Sequence, residues 1–352
     1  MPELTGKCLC GEASYSLTVE QHLNTHICHC GRCRHISGAL CATTVDLPKS
    51  YKPDSRLIDG LVAYKSSAEY TRYFCATCGC HVFERDERFG EWRVLQGTLN
   101  NPEAVASIKG HIFIEDTKDG GCSDWITHVK DQKIKRWNGF PDKSSEVPDG
   151  WRTSEQTPID NQAPIHAHCD CKGVSFYVSR PSEISKQTDG PCPDVLDESP
   201  QDKMWWLRQN HTKYLAGVCV CDSCRLATGS EMIEWAFVPT ANIHLSQDCT
   251  VPFSRSFGSL KAYRSSDEAS RHFCGTCGAT VFWIGDARPT LIDIALGLLD
   301  APEGARAESL LEWRTKRVSF REDSIKRAPA FTTTLEAGIA AWRHAQESKQ
   351  RH

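Results

Sequence analysis

The chain has 352 residues, which is too many for one ordinary hydrophobic core and suits two domains of roughly 150 residues each. Hydrophobic residues make up 39% and charged residues 24%, as is typical of a globular rather than a disordered protein. The formal charge is −4 without a basic run, and no apolar stretch approaches the roughly 18 residues of a membrane-spanning helix, so we expect neither nucleic acid nor a membrane as a partner.

The cysteine content is the unusual feature of the sequence, since the chain contains 19 cysteines. The N-terminus has no apolar secretory segment, so we expect a cytoplasmic protein whose thiols stay reduced. Many of the cysteines are separated by one or two residues, and this spacing favours metal binding over a disulfide framework.

The first copy of an internal repeat occupies residues 1–140, and a polar, proline-rich linker follows at residues 141–164. Residues 12–19 alternate in hydrophobicity and predict a short strand, as do other segments of this copy. Three cysteine groups occur in chain order: Cys8 with Cys10, then Cys28 with Cys30 and Cys33, then Cys75 with Cys78.

The second copy occupies residues 165–330. Residues 262–282 match residues 63–83 at 13 of 21 positions without a gap. The cysteine groups recur in the same order: Cys169 with Cys171, then Cys219 with Cys221 and Cys224, then Cys274 with Cys277. The spacing between the first two groups is longer than in the first copy, which predicts a loop insertion at about residues 180–215.

The tail of the chain predicts one longer helix. Leu335, Ile339 and Trp342 recur at helical spacing, so we expect an amphipathic helix over residues 331–352. Its apolar face is predicted to pack on the body of the second copy.

Two cysteine pairs in each copy predict a structural zinc site. Such a site is usually closed by two pairs of thiolates on tight turns. Cys75 and Cys78 have this spacing, and Cys8 and Cys10 are the candidate partners. The same reasoning gives the set Cys169, Cys171, Cys274 and Cys277; the alternative in both copies is four buried free thiols.

The remaining three cysteines of each copy predict a reactive site. A zinc held by three protein ligands keeps one position for water or substrate, as catalytic zinc sites do. The candidates are Cys28, Cys30 and Cys33 (the first triplet) and Cys219, Cys221 and Cys224 (the second triplet). A fourth protein ligand, a redox-active thiol cluster and a purely structural role remain alternatives.

Several other residues near these groups are candidates for supporting roles. Arg34 and Arg225 follow the triplets and are candidates for binding a substrate carboxylate or forming a surface ion pair. We expect Arg72 and Arg271 to brace the four-cysteine site or a local turn. Further candidates for lining the cleft are Tyr64, Tyr263, Ser66 and Ser265. The cysteines without a counterpart are expected to be ordinary thiols, with Cys80 the best candidate for an exception: Cys41, Cys80, Cys122, Cys192 and Cys249.

The order of these motifs resembles the glutathione-dependent formaldehyde-activating family, which includes centromere protein V-like domains. The first copy carries the motifs at residues 8–11, 28–34 and 72–79, and the second copy at 169–173, 219–225 and 271–278. The resemblance implies two tandem, mainly β domains of the β-tent zinc fold, each with a structural four-cysteine zinc and a second zinc at the triplet. It also implies carbon–sulfur lyase activity on the adduct of glutathione with formaldehyde.

The sequence departs from this pattern in the second copy. His29 is replaced by Val220, so we do not expect it to be a general base in both copies, and Lys172 displaces the glycine that Gly11 provides. The insertion directly precedes the second triplet and is placed to cover it. The family's usual unit is a single domain.

We therefore predict a zinc-dependent carbon–sulfur lyase that binds up to four Zn²⁺ per chain, two per domain. Its expected partner is a small-molecule thiol–carbonyl adduct, of glutathione or of another thiol. The alternative is a non-catalytic zinc module for protein interaction. The sequence leaves open the substrate, the active copy, the general acid or base and the oligomeric state.

Overall fold

The structure is a computed structural model that describes residues 3–130, 132–154, 158–193 and 203–350. Parts of the predicted linker, the predicted insertion and the predicted C-terminal helix therefore lie outside the described residues. None of the helices in these ranges combines the length and the apolar character that crossing a membrane requires.

Short strands and three short helices make up the first part of the chain. The strands are β1 (Glu3–Lys7), β2 (Ser14–Thr18), β3 (Leu23–Cys28), β4 (Ala42–Asp46), β5 (Leu61–Lys65), β6 (Tyr70–Cys75), β7 (His81–Asp86), β8 (Glu91–Leu95), β9 (Ala106–Ile112), β10 (His128–Val129), β11 (Gln132–Lys133) and β12 (Lys135–Arg136). The helices are α1 (Gly31–Ser37), α2 (Ser55–Asp59) and α3 (Pro102–Val105). Single 3₁₀ turns follow at Gln96–Thr98, Glu115–Thr117 and Gly121–Asp124.

The second part repeats this organisation and adds the long terminal helix. The strands are β13 (Ile165–His168), β14 (Ser175–Val178), β15 (Leu207–Arg208), β16 (Lys213–Cys219), β17 (Ile233–Pro239), β18 (Ile243–His244), β19 (Leu260–Ser266), β20 (Ala269–Cys274), β21 (Thr280–Gly285), β22 (Leu291–Ala295) and β23 (Leu311–Trp313). The helices are α4 (Asp222–Thr228), α5 (Arg321–Arg327) and α6 (Pro329–Gln350). The 3₁₀ turns are Glu183–Lys186, Thr240–Asn242 and Leu296–Leu298.

One large sheet forms the frame of each copy. The first has the order β12-β9-β3-β4-β8-β7-β6-β5, and the second has the order β15-β16-β17-β22-β21-β20-β19 with β23 paired to β16. The pairs β3–β9 and β16–β23 are parallel, while the other pairs shared by the two sheets are antiparallel. The two sheets therefore have equivalent strand orders.

Side chains alternate between the two faces of the strands, as their sequences predict. In β3, Leu23, Thr25 and Ile27 are buried, whereas the residues between them are more exposed. The mainly β class, the two copies and the C-terminal helix are confirmed. The exact limits predicted for the domains, the linker and the insertion stay predictions.

The C-terminal helix α6 bridges both copies, so the interpretation that it packs on the second copy is too narrow. Its first N–H groups are capped by the first copy, because the Phe331 amide donates to Glu103 over 2.8 Å. A Cβ at Gly338 would lie 1.9 Å from the carbonyl oxygen of Trp125, which shows how closely the helix approaches the first copy. Buried Leu335 lies on its inner face, as the periodicity predicts.

Candidate functional site

The structure brings the predicted cysteine pairs of each copy together. The four sulfur atoms of each set lie within 4.8 Å of one another: Cys8, Cys10, Cys75 and Cys78 in the first copy, and Cys169, Cys171, Cys274 and Cys277 in the second. The Cys8 and Cys10 sulfurs are 3.4 Å apart, close to the roughly 3.8 Å expected around a tetrahedral zinc with Zn–S bonds of about 2.3 Å. Both clusters could hold a metal ion.

The two triplets are also assembled, each from a strand end and a helix start. Their sulfur atoms lie within 4.8 Å of one another in both copies: Cys28, Cys30 and Cys33, and Cys219, Cys221 and Cys224. Cys28 ends β3, and Cys30 caps α1, because its sulfur accepts a hydrogen bond of 3.3 Å from the Cys33 amide. The second copy has the equivalent cap of 3.2 Å at Cys221. These clusters could hold metal ions as well.

Neither triplet is closed by another protein ligand within the ranges that the structure describes. No further Cys, His, Asp or Glu donor atom joins either group of three. Each triplet instead lines a cavity.

Arg72 and Arg271 contact the triplets, so the expectation that they brace the four-cysteine sites is wrong. The Arg72 guanidinium donates to the Cys33 sulfur over 3.2 Å, and Arg271 donates to the Cys224 sulfur over 3.4 Å. The strands carrying these arginines run from the pocket to the four-cysteine turn, so sequence proximity to Cys75 was misleading. Both arginines are buried.

Hydrogen bonds within each triplet, together with the neighbouring arginine, stabilise negative charge on the third cysteine. Hydrogen bonds from Cys28 and Cys30, joined by the charge of Arg72, hold the pKa of Cys33 well below its ordinary value although burial opposes this. Equivalent contacts lower the pKa of Cys224. Since a metal binds the thiolate rather than the thiol, this arrangement favours metal binding.

The two pockets differ in size. The first pocket, about 560 Å³, is lined by the first triplet together with Asp46, Tyr70, Glu84, Arg93 and Phe140. The second pocket, about 350 Å³, is lined by the second triplet together with Trp235, Phe237, Trp283, Phe320 and Pro193. Ser66 and Ser265 line the respective pockets, as expected.

A repeated aspartate that sequence reasoning missed lies in each pocket. Asp116 accepts a hydrogen bond of 2.9 Å from the amide that begins α1, and Asp323 accepts one of 3.1 Å at the start of α4. Phe113 and Phe320 stand three residues earlier, and both have left-handed backbone, with φ of 60° and 59°. The shared pattern Phe-x-Glu-Asp at these two places was the signal that could have identified the aspartates.

One residue from the described part of the insertion reaches the second pocket. Pro193 lines the pocket, and Trp205 donates from its indole nitrogen to the Gly190 carbonyl oxygen over 3.0 Å. Gly190 in turn packs against the side chain of Arg288, which lines the same pocket. Residues 194–202, at the centre of the predicted insertion, lie outside the described residues.

Three other candidate residues, Arg34, Arg225 and His29, lie away from the two pockets. Arg34 and Arg225 are buried and line neither pocket, so the structure does not support the substrate-carboxylate role. Arg225 forms an ion pair of 2.6 Å with the exposed Asp222, as the alternative expected. Arg225 joins the two copies by donating to the carbonyl oxygen of Gly97 over 2.7 Å. His29 is buried and contacts His111 instead of the pocket.

The two tyrosines expected in the cleft lie at the contact between the copies. Tyr64 donates a hydrogen bond of 2.6 Å to Asp170, which belongs to the second four-cysteine loop. Tyr263 packs on the core around the first four-cysteine site. Neither tyrosine lines either of the two triplet pockets. Cys80 is buried beside this site and donates to the His81 carbonyl oxygen over 3.4 Å, without joining the group of four.

A group of two histidines and one aspartate also lies between the copies. The Nε2 atoms of His35 and His168 are 3.1 Å and 2.9 Å from the two carboxylate oxygens of Asp300. The two rings are stacked, with an interplanar angle of 7° and centroids 4.2 Å apart. Nitrogen lone pairs lie in the ring plane, so parallel rings do not direct both lone pairs at one ion. We therefore interpret this group as a polar contact between the copies rather than a metal site.

The comparisons with known proteins agree with the duplicated cysteine pattern. The family model described as glutathione-dependent formaldehyde-activating enzyme matches residues 3–116 and 207–316. A Podospora anserina protein, whose name assigns it provisionally to the same enzymes, is 31% identical over 88 residues. That alignment covers 25% of this chain and 41% of the relative, so it spans less than half of either protein. No solved structure matches the chain.

Proposed function

Because the chain belongs to the glutathione-dependent formaldehyde-activating enzyme family, we propose that it is a zinc-dependent carbon–sulfur lyase. Its substrate is an adduct of a thiol with a carbonyl compound. The observation that carries this proposal is that three cysteine sulfurs with no fourth protein ligand line a cavity in each copy of the described chain. The family name supports glutathione and formaldehyde as the first substrates to test.

We assign structural zinc to the four-cysteine clusters and catalytic zinc to the triplets. Sulfur-only donor sets suit zinc in a cytoplasmic protein whose thiols are reduced. When bound at a triplet, zinc supplies a Lewis acid that stabilises negative charge on the sulfur of the adduct. Up to four ions per chain follow from the four clusters.

The reaction needs no oxidant or further co-reactant. In an adduct R–S–CHR′–OH, the C–S bond breaks and its electron pair stays on sulfur. The O–H electron pair forms the second C–O bond, and the released proton ends on the sulfur. The products are the thiol and the aldehyde, and the reverse reaction adds the thiol to the carbonyl group.

The chain supplies the groups that position and deprotonate the adduct. Asp116 and Asp323 are carboxylates at equivalent places in the two pockets, so we assign them the transfer of the hydroxyl proton. Arg72 and Arg271 keep the third cysteine of each triplet ionised and in place. Neither role requires His29, which is consistent with Val220 in the second copy.

The test measures how fast the hemithioacetal of glutathione and formaldehyde exchanges with its free components, followed by NMR on the zinc-loaded full chain. We expect exchange above the spontaneous rate, and none above it for a chain carrying both Cys30→Ser and Cys221→Ser. Each single variant then identifies the active copy. Full zinc loading without accelerated exchange would contradict the proposal and favour a non-catalytic zinc module that binds protein.

A further inference from the structure

The two pockets present opposite chemistry at equivalent positions of the two sheets. In the first sheet, Asp46 on β4 pairs with Arg93 on β8, and Arg93 pairs with Glu84 on β7. In the second sheet the same register places Phe237 opposite Asp293, and Asp293 opposite Trp283. This correspondence rests on strand pairing and is independent of any sequence alignment.

The wall of the first pocket is a ladder of ion pairs. Arg93 contacts Asp46 at 2.9 Å and Glu84 at 2.7 Å, and Glu84 also contacts Arg72 at 2.9 Å. Arg32 and Asp46 keep nearly half of their side chains exposed at this pocket, so both can reach a charged ligand, unlike the buried Arg288–Asp293 pair of the second pocket. Such a pocket suits a charged thiol, because its fixed charges replace the water that the thiol loses on binding.

The wall of the second pocket is aromatic. Trp283 and Phe237 occupy the positions that Glu84 and Asp46 occupy in the first sheet. Two residues before Phe237 on the same strand, Trp235 occupies the position of Thr44. Trp235 and Phe237 are buried side chains that face the cavity.

The carboxylate on the sheet wall of the second pocket, Asp293, is neutralised by a residue of the same wall. Arg288 contacts Asp293 at 2.6 Å, and its guanidinium lies 4.9 Å from the centre of the Trp283 ring. The buried pair is therefore satisfied internally, so the sheet wall offers no free carboxylate to a charged ligand. The other carboxylate of the pocket, Asp323, lies at the start of α4 rather than on this wall. Glutathione carries two carboxylates and an ammonium group, and burying these against indole rings costs free energy.

The base of the second pocket still offers polar contacts to a ligand oxygen. The Nε and Nη1 atoms of Arg271 have no hydrogen-bond partner among the described residues, although Arg271 is 4% exposed. In the first copy, the equivalent Arg72 contacts Glu84 through Nη2, and of its nitrogen atoms only Nε is buried without a hydrogen-bond partner among the described residues. A ligand bound at the second triplet can thus direct its oxygen to Arg271 and its apolar part to the aromatic wall.

We propose that the second triplet serves a different substrate class, namely hemithioacetals of neutral thiols that carry an aromatic or branched aliphatic group. The first triplet then serves charged thiols of the glutathione type. This inference rests on the proposed function, since it requires thiol sulfur to bind at both triplets. It explains why one chain keeps two cysteine triplets whose pocket walls have diverged.

The experiment titrates the zinc-loaded full chain with benzyl mercaptan and with glutathione by isothermal calorimetry. Cys30→Ser removes one sulfur from the first site, and Cys221→Ser does the same at the second, while serine retains the helix cap at both positions. We expect Cys221→Ser to weaken benzyl mercaptan binding at least tenfold and to leave glutathione binding unchanged. Cys30→Ser is expected to have the opposite effect.

Trp235→Thr tests the aromatic wall directly, because threonine is the equivalent residue of the first copy. In a Cys30→Ser background, we expect about tenfold weaker binding of benzyl mercaptan and unchanged binding of the small thiol 2-mercaptoethanol. Trp283→Leu provides a second variant if the first unfolds. The inference would be overturned if either cysteine variant lost affinity for both thiols equally. It would also be overturned if benzyl mercaptan bound with wild-type affinity after both tryptophan changes. If neither thiol binds at either triplet, the proposed function itself is rejected.

Discussion

The amide of Gly97 donates a hydrogen bond of 2.9 Å to the carbonyl oxygen of Gly229, at the end of α4 in the other copy. The contact recurs with the copies exchanged, since the Gly297 amide donates to Gly38 over 2.8 Å. The two copies thus approach each other backbone to backbone, in the manner of a two-fold related dimer within one chain. The end of each triplet helix is fixed by the other copy.

Gly229→Ala should destabilise this contact strongly. A Cβ at residue 229 would lie 2.3 Å from the carbonyl oxygen of His81, and the backbone there has φ of 78°. We expect a loss of about 3 kcal/mol in the free energy of unfolding, measured by denaturant titration of the full chain. Gly150→Ala is the matched control, because Gly150 has φ of 68° and open space around it, and should cost only about 1 kcal/mol. Equal effects of the two changes would contradict the close approach.

The two kinds of cysteine site should respond differently to substitution. Cys30→Ser keeps the cap of α1, so we expect its free energy of unfolding to lie within about 1 kcal/mol of the wild-type value. We also expect this variant to bind one zinc fewer per chain. Cys78→Ser breaks the four-cysteine site, whose metal contributes directly to folding free energy, and should lower the melting temperature sharply. Native mass spectrometry and thermal denaturation together test both expectations. A Cys78→Ser chain as stable as wild type would argue against structural zinc at that site.

The sequence predicted the cysteine groups because each depends on a short local motif. Cys75 and Cys78 lie on one tight turn, and Cys30 begins a helix two residues after a strand end, so spacing alone describes their geometry. Because the sequence is duplicated, each cysteine group predicted in one copy could be checked against the equivalent group in the other copy.

The pocket walls and the contact between copies could not be predicted in the same way. Glu84 and Arg93 meet because β7 and β8 pair in one particular register, and the sequence separation does not specify this register. The position of Arg72 also depends on the course of its strand. The strand places Arg72 at the first triplet, although Arg72 is only three residues before Cys75. Asp116 was missed because its repeat is short and lies at a different spacing from the cysteine motifs.

Asp116→Asn and Asp323→Asn test the proposed proton transfer. The asparagine carbonyl oxygen can still accept the hydrogen bond from the start of α1 or α4, so the fold and the metal content should be preserved. We expect the double variant to lose 10²-fold or more of the exchange rate, the usual scale for a general base, with thiol affinity unchanged. Asparagine retains the shape of aspartate but is not a base. A double variant with the wild-type exchange rate would therefore show that these residues do not transfer the proton.

Glu234 should make the stability of the pair of copies depend on pH. This carboxyl group is completely buried, accepts a hydrogen bond of 2.7 Å from the Leu40 amide of the other copy, and has a pKa raised by burial to about 7. Because the folded pKa lies above the ordinary value of 4.5, ionisation opposes folding: stability is highest below pH 4.5 and falls as the pH rises towards 7. The full loss is about 3 kcal/mol above pH 7.

We expect Glu234→Gln, which retains the accepting oxygen, to abolish this part of the pH dependence and to be more stable than wild type at pH 8. Urea unfolding of both chains at pH 5 and pH 8 measures the difference, and parallel pH profiles would show that the carboxyl group stays ionised in the folded protein.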